Sequence, residues 1–174
     1  MSSRHPAIVH WSEIEEREAW VYPGHDEPMS RGANYREHFG FNKLGIHNER
    51  LAPGRRTSFP HAESAEEEFV YVIEGAPDVW LDGHLHRLAP GDAVGFPAGT
   101  GLSHTFINNT ESDVRLLVVG EKSKPENRVV YPLNPERKAM RDDWWNDAPP
   151  HELGPHDGLP DKVRAARAAG RKPA

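Results

Sequence analysis

The chain has 174 residues, 36% of them hydrophobic and 28% charged, with a formal net charge of −6 and no cysteine. That length fits one domain able to enclose a core. The acidic balance disfavours nucleic acid as a partner, and the lack of cysteine leaves histidines and carboxylates as the strong metal ligands. No apolar run is long enough to span a membrane, and the stretch from Met1 to Pro6 lacks the apolar centre of a secretory signal, so the cytoplasm is the expected compartment.

Ser12-Glu13-Ile14-Glu15 fits a capping box and predicts a short helix from about Glu13 to Ala19. Val21 to Gly40 is punctuated by Pro23-Gly24, Pro28 and Gly32 and reads as irregular chain. Leu44 to Leu51 alternates as a strand and stops at Pro53-Gly54. Further strands are predicted near Thr57 to His61, Glu68 to Glu74, Asp78 to Leu81, His84 to Leu88, Ala93 to Phe96, His104 to Asn108 and Val114 to Val119. Asp82-Gly83 is a two-residue hairpin signal, because both positions tolerate positive φ. After Gly120 the chain turns polar, Arg128 to Pro132 fits one more short strand, and the stretch from Pro135 is proline-rich. Its Trp144-Trp145 pair is costly to leave in water, so at least one ring is expected to dock on the rest of the chain or on a partner subunit. Pro160-Asp161 before an alanine-rich run that stops at Gly170 predicts a terminal helix. Many short strands without βαβ alternation indicate an all-β sandwich or barrel.

Two of these stretches carry ligand-type residues. In an extended strand His61 and Glu63 point the same way, about 6.6 Å apart along the backbone, so one ion could touch both. Glu68 stands at the entrance of the strand Glu68 to Glu74, and His104 opens the later strand. Gly54, His61, Glu63, Glu68 and Gly75, followed by Gly91, Pro97, Gly99, His104 and Asn108, resemble the two motifs of the cupin family in order and residue type, over roughly residues 44 to 120. The match has one extra residue after Gly54 and two before His104, and Glu63 stands where the family has its second histidine.

The resemblance implies a double-stranded β-helix, or jelly-roll barrel, with short peripheral helices near the termini. Residues 1–43 would be an N-terminal extension packed on the barrel, 44–131 the barrel, and 132–174 a C-terminal extension ending in a helix. It also implies one divalent transition metal per chain (zinc, manganese, iron or nickel), held by His61, Glu63, Glu68 and His104. Glu63, if it is not a ligand, is the candidate proton-transferring carboxylate. The expected substrate is a small polar metabolite, a sugar derivative or a carboxylate. The family includes dioxygenases, isomerases, epimerases and lyases, and also non-catalytic binding or sensing proteins in which a metal is structural or absent. By strand phase Val70, Val72 and Phe106 can line the substrate pocket or serve as plain core, and Arg56 can draw in an anion or simply be solvated. His84-Leu85-His86 follows the Asp82-Gly83 turn and is expected to face solvent. Edge strands and the tryptophan pair suggest a homodimer.

Overall fold

In the computed structural model, residues 4–171 are described; the first three residues of the polar N-terminus and the last three of the chain lie outside them. A single turn of helix, α1 (Trp11–Ile14), precedes β1 (Arg31–Asn34), the short helix α2 (Tyr35–Phe39) and β2 (Leu44–Leu51). β3 (Ala62–Glu63), β4 (Glu68–Glu74), β5 (Asp78–Leu81), β6 (His84–Arg87), β7 (Ala93–Phe96), β8 (His104–Ile107) and β9 (Val114–Glu121) follow. β10 (Val129–Val130), a 3-10 helix over Pro135–Met140 and α3 (Asp161–Ala168) complete the chain.

The strands form antiparallel sheets in the order β1-β2-β9-β4-β7, β6-β5-β8 and β10-β3. Between the first two lies an apolar core that includes Leu51, Val70, Val72, Val79, Phe106 and Leu116. β4 shows how the sequence sets this arrangement: Val70 and Val72 are buried, while Phe69, Tyr71 and Ile73 point out, the period-two pattern of a strand with one face on the core. This is the jelly-roll architecture expected from the motifs.

The predicted β5–β6 turn forms with Asp82 at φ 42° and Gly83 at φ 90°. The C-terminal segment crosses directly over it: Gly154 N–H donates to Asp82 O at 2.7 Å, and a Cβ on Gly83 would meet the Gly154 backbone at 2.4 Å. Trp80 Nε1 donates to His156 O nearby at 2.9 Å.

Three segments differ from the sequence reading. Thr57 to His61 is not a regular strand: it follows β8 through isolated bridges at Arg56–Ile107 and His61–His104, and the strand pairing resumes at Ala62–Glu63. Pro60 lacks the N–H that a continuous ladder would need there. Within 21–40, β1 pairs along β2, from Arg31 opposite Arg50 to Asn34 opposite His47, and Asn34 Oδ1 caps α2 by accepting from Glu37 N–H at 3.0 Å. The first helix is a shorter and earlier turn than the capping box suggested, with His10 as its cap.

Trp145 is buried, and Trp144 packs against a second cluster formed by Tyr22, Met29, Phe59, Val129 and Tyr131, so the pair docks on its own chain. The N-terminal segment reaches the same cluster through Tyr22, which lies flat on Phe59 with ring centroids 4.2 Å apart.

Candidate functional site

Each motif histidine is held by main chain on one side. His61 Nδ1 lies 3.0 Å from Phe59 O and 3.3 Å from Ser58 Oγ, and His104 Nδ1 lies 3.4 Å from Leu102 O. A hydrogen on His61 Nδ1 donated to Phe59 O leaves its Nε2 with the lone pair inward, the orientation that metal-binding imidazoles take from such contacts, whereas His104 turns Nε2 toward a carboxylate. The two rings are 5.0 Å apart at their centroids, and His104 stacks on Phe96 at 3.5 Å. Across from them, Glu68 places Oε1 3.2 Å from His104 Nε2.

His61, Glu63, Glu68 and His104 all line one small cavity of about 10 Å³, room for about one water molecule or ion. The set offers two imidazoles and two carboxylates, a mixed nitrogen and oxygen donor set suited to a divalent transition metal. As they stand, no three His, Asp or Glu side chains among the described residues converge closely enough to hold one ion, and Glu68 and His104 face each other at 3.2 Å. The donors therefore fit a metal in kind, and binding requires their mutual contact to open.

The electrostatics divide the four residues. Burial, with the neighbouring His104, lowers His61 to about 4, so its imidazole is neutral at physiological pH. Burial pushes Glu68 up, but the hydrogen bond and charge of His104 and the charge of His61 outweigh it and hold the carboxyl below its usual range. Glu63 goes the other way: burial, then the proximity of Glu66 and Glu68, raises it to about 8. At neutral pH it keeps its proton and hydrogen-bonds Glu66.

Beside this point the barrel encloses a larger cavity of about 360 Å³. His61, Glu68 and His104 reach it, as do Val70 and Phe106, whereas Glu63 and Val72 do not. Val72 is packed in the core. Arg56 also lies away from it: its guanidinium is buried in a bidentate pair with Glu27 at 2.7 and 2.8 Å, beside a separate depression of about 230 Å³. His84 and His86 are exposed. Asn108 closes a turn, its Nδ2 donating to Leu51 O and Ser112 O at 2.8 Å each.

Sequence reasoning missed His47 and Glu49, which line the large cavity from β2, and the wall supplied by the N-terminal segment through Glu16, Trp20, Tyr22 and Ser30. The signal for the first pair was present. His47-Asn48-Glu49 repeats the spacing of His61-Ala62-Glu63 on a stretch already read as a strand, so both side chains had to leave one face.

Comparison with known proteins agrees with this architecture. The cupin domain profile matches residues 47–120. A sugar phosphate isomerase of the cupin superfamily from Silicibacter pomeroyi is 32% identical, with 71% of this chain and 80% of that one covered at a TM-score of 0.65. The polyketide cyclase RemF from Streptomyces resistomycificus is similar in fold, at 22% identity and a TM-score of 0.55, over 83% of this chain and 96% of that one. No curated protein sequence matches. With both motifs seated on a jelly-roll barrel and a solved cupin of this similarity, the chain belongs to the cupin superfamily.

Proposed function

We propose that the chain is an isomerase acting on a small, uncharged sugar derivative, with one divalent transition metal (zinc, manganese, iron or nickel) held by His61, Glu68 and His104, and Glu63 beside them. The observation that carries this reading is the lining of the large cavity: three histidines and three glutamates with serine, threonine and asparagine, and neither lysine nor arginine. Its volume of about 360 Å³ suits a small ligand. Hydroxyl and carbonyl groups find hydrogen-bond partners on such a wall, whereas a phosphate or carboxylate would face Glu16, Glu49 and Glu68 without a cationic side chain to receive it.

The similarity to a sugar phosphate isomerase supports the reaction class, and the missing lysine and arginine separate this substrate from a phosphorylated one. When bound, the metal would supply Lewis-acid polarisation of a substrate oxygen. The protein's share is to hold the neutral His61 and the ionised Glu68 in place, to wall the ligand with Val70 and Phe106, and to move a proton through a carboxyl group. The same reading takes the protein as a cytoplasmic homodimer. No helix among the described residues is long and apolar enough to cross a membrane.

The test is turnover of matched pentoses and hexoses with and without a phosphate. Isomerisation of an unphosphorylated sugar, lost on chelation and restored by one of the four metals, is the expected result. Turnover of the phosphates alone would overturn the substrate class, and no turnover of either would overturn the isomerase. The direct His104–Glu68 contact favours a second reading, a non-catalytic cupin that binds the sugar without metal. Calorimetric sugar binding by chelator-treated protein, with no product formed under any metal, would establish that alternative.

A further inference from the structure

His47 and Glu49 stand two residues apart on β2 and enter the large cavity from the same strand face. The register locates them relative to the motif. Val70 on β4 pairs with Val118 on β9, which pairs with His47; Val72 pairs with Leu116, which pairs with Glu49. β2 is therefore two strands from the one that carries Glu68, about 10 Å across the sheet. A ligand held at the motif residues would extend along this wall.

The two side chains are set up differently. Glu49 Oε2 accepts from Ser30 Oγ–H at 2.7 Å, and Ser30, in the N-terminal segment, is itself buried, so the carboxyl is fixed where it lines the cavity. His47 makes no hydrogen bond through either ring nitrogen among the described residues. The two motif carboxyls are less suited to work on substrate. Glu68 is engaged with His104, and Glu63 reaches only the small cavity.

We infer that Glu49 is the catalytic carboxyl that carries a proton between adjacent substrate carbons, and that His47 relays the hydroxyl proton between the two substrate oxygens. This rests on the isomerase reading above. In the forward direction the Glu49 carboxylate takes the hydrogen from the hydroxyl-bearing carbon next to the carbonyl. The electrons of that C–H bond form the C=C bond of an enediol, while the carbonyl oxygen gains a proton from His47. His47 recovers a proton from the neighbouring hydroxyl, whose oxygen becomes the new carbonyl, and the former carbonyl carbon takes its hydrogen from Glu49. One C–H bond breaks and one forms, one carbonyl is lost and one gained, and both residues end as they began. No oxidant, reductant or co-reactant is consumed.

The local environment supports these roles. Burial raises the Glu49 carboxyl to about 7 against the opposing Ser30 hydrogen bond, with Glu68 and Glu16 adding to the rise. A general base with an affinity for protons near the working pH is the efficient choice. Burial lowers His47 below the usual imidazole range, against smaller upward pulls from Glu16 and Glu68, so it works as a neutral donor and acceptor.

The full-length, metal-loaded protein is incubated in deuterium oxide with D-glucose, D-fructose, D-xylose and D-xylulose, and proton loss at the reacting carbon is followed by NMR. Glu49→Gln is expected to lose about 1,000-fold in kcat and in deuterium incorporation, with KM and metal content unchanged, while Glu49→Asp recovers part of the loss. Independently of turnover, the Glu49 carboxyl carbon resonance should move when the same four sugars are added to labelled, metal-free protein. Retention of activity within tenfold by Glu49→Gln would overturn the assignment and leave the isomerase standing. So would sugar binding that leaves the Glu49 resonance in place. Absence of turnover by the unaltered protein would remove the isomerase reading and this role together.

Discussion

His104 Nε2 and Glu68 Oε1 lie 3.2 Å apart, so two of the motif's ligand-type residues hold each other. An ion that takes both must enter between them and displace the shared proton, which couples metal uptake to proton release.

Metal occupancy tests this directly. The protein loaded with a divalent transition metal should bind about one ion per chain and release protons as it does so. His104→Ala should abolish binding, whereas His84→Ala, altered at an exposed histidine, should leave it intact. Elemental analysis with the two effects reversed would dismantle the ligand assignment.

Glu49 makes stability depend on pH in a defined direction. Its folded-state value of about 7 lies above the ordinary carboxyl range near 4.3, so between these limits the folded chain holds more protons than the unfolded one. Its contribution is fully present below about pH 4.3 and declines as pH rises toward 7. Glu49→Gln removes that decline. The melting temperature of the variant relative to the parent should rise across this window and level off above it. A constant difference from pH 4 to 8 would show that the carboxyl titrates normally.

The buried Arg56–Glu27 pair is a stability element. Arg56 also donates Nη1–H to Gly158 O at 2.8 Å and lies over the Phe59 ring at 4.7 Å, tying the N-terminal segment to the C-terminal one. Arg56→Ala strands Glu27, which is 3% exposed, with only Arg167 at 3.3 Å. A loss of about 3–5 kcal/mol is expected, lowering the Tm by roughly 10 °C. If the loss is below about 0.5 kcal/mol while sugar affinity collapses, Arg56 serves the ligand instead.

Assembly can be read from mass. Phe69, Tyr71 and Ile73 remain 39–44% exposed on the outer face of β4, beside the edge strand β7. Light scattering at tens of micromolar should report a dimer, and Phe69→Glu should shift it toward monomer. A monomeric mass for the unaltered protein would rule the dimer out.

How much of this could be read beforehand varied with what each segment depends on. β2, β4, β5 and β7 have the bounds that alternation and turn residues assigned, because each carries its own signal. β1 does not: Arg31-Gly32-Ala33-Asn34 becomes a strand because β2 offers it a partner, a tertiary effect that local pattern cannot show. The site divides likewise. His61, Glu68 and His104, marked out by type and spacing, line the same cavities. Ser30 and Glu16 reach the cavity only through the way the N-terminal segment folds back, so nothing local marks them. Glu63 lines the small cavity with His61, Glu68 and His104, yet whether it is ionised depends on its burial first and then on Glu66 and Glu68 beside it, none of which spacing shows.

The wall built by Glu16, Trp20, Tyr22, Ser30, Gly32 and Asn34 comes from before β2, while the donors His61, Glu68 and His104 come from the barrel. On the proposed reading, ligand choice and the metal donors fall on separate stretches of the gene. Replacing only the stretch before Ser30, with Ser30 kept to hold Glu49 and β1 kept to pair along β2, would graft a new selectivity onto an unchanged reaction centre. A barrel expressed without it would keep its motif and lose much of the surface that decides what enters.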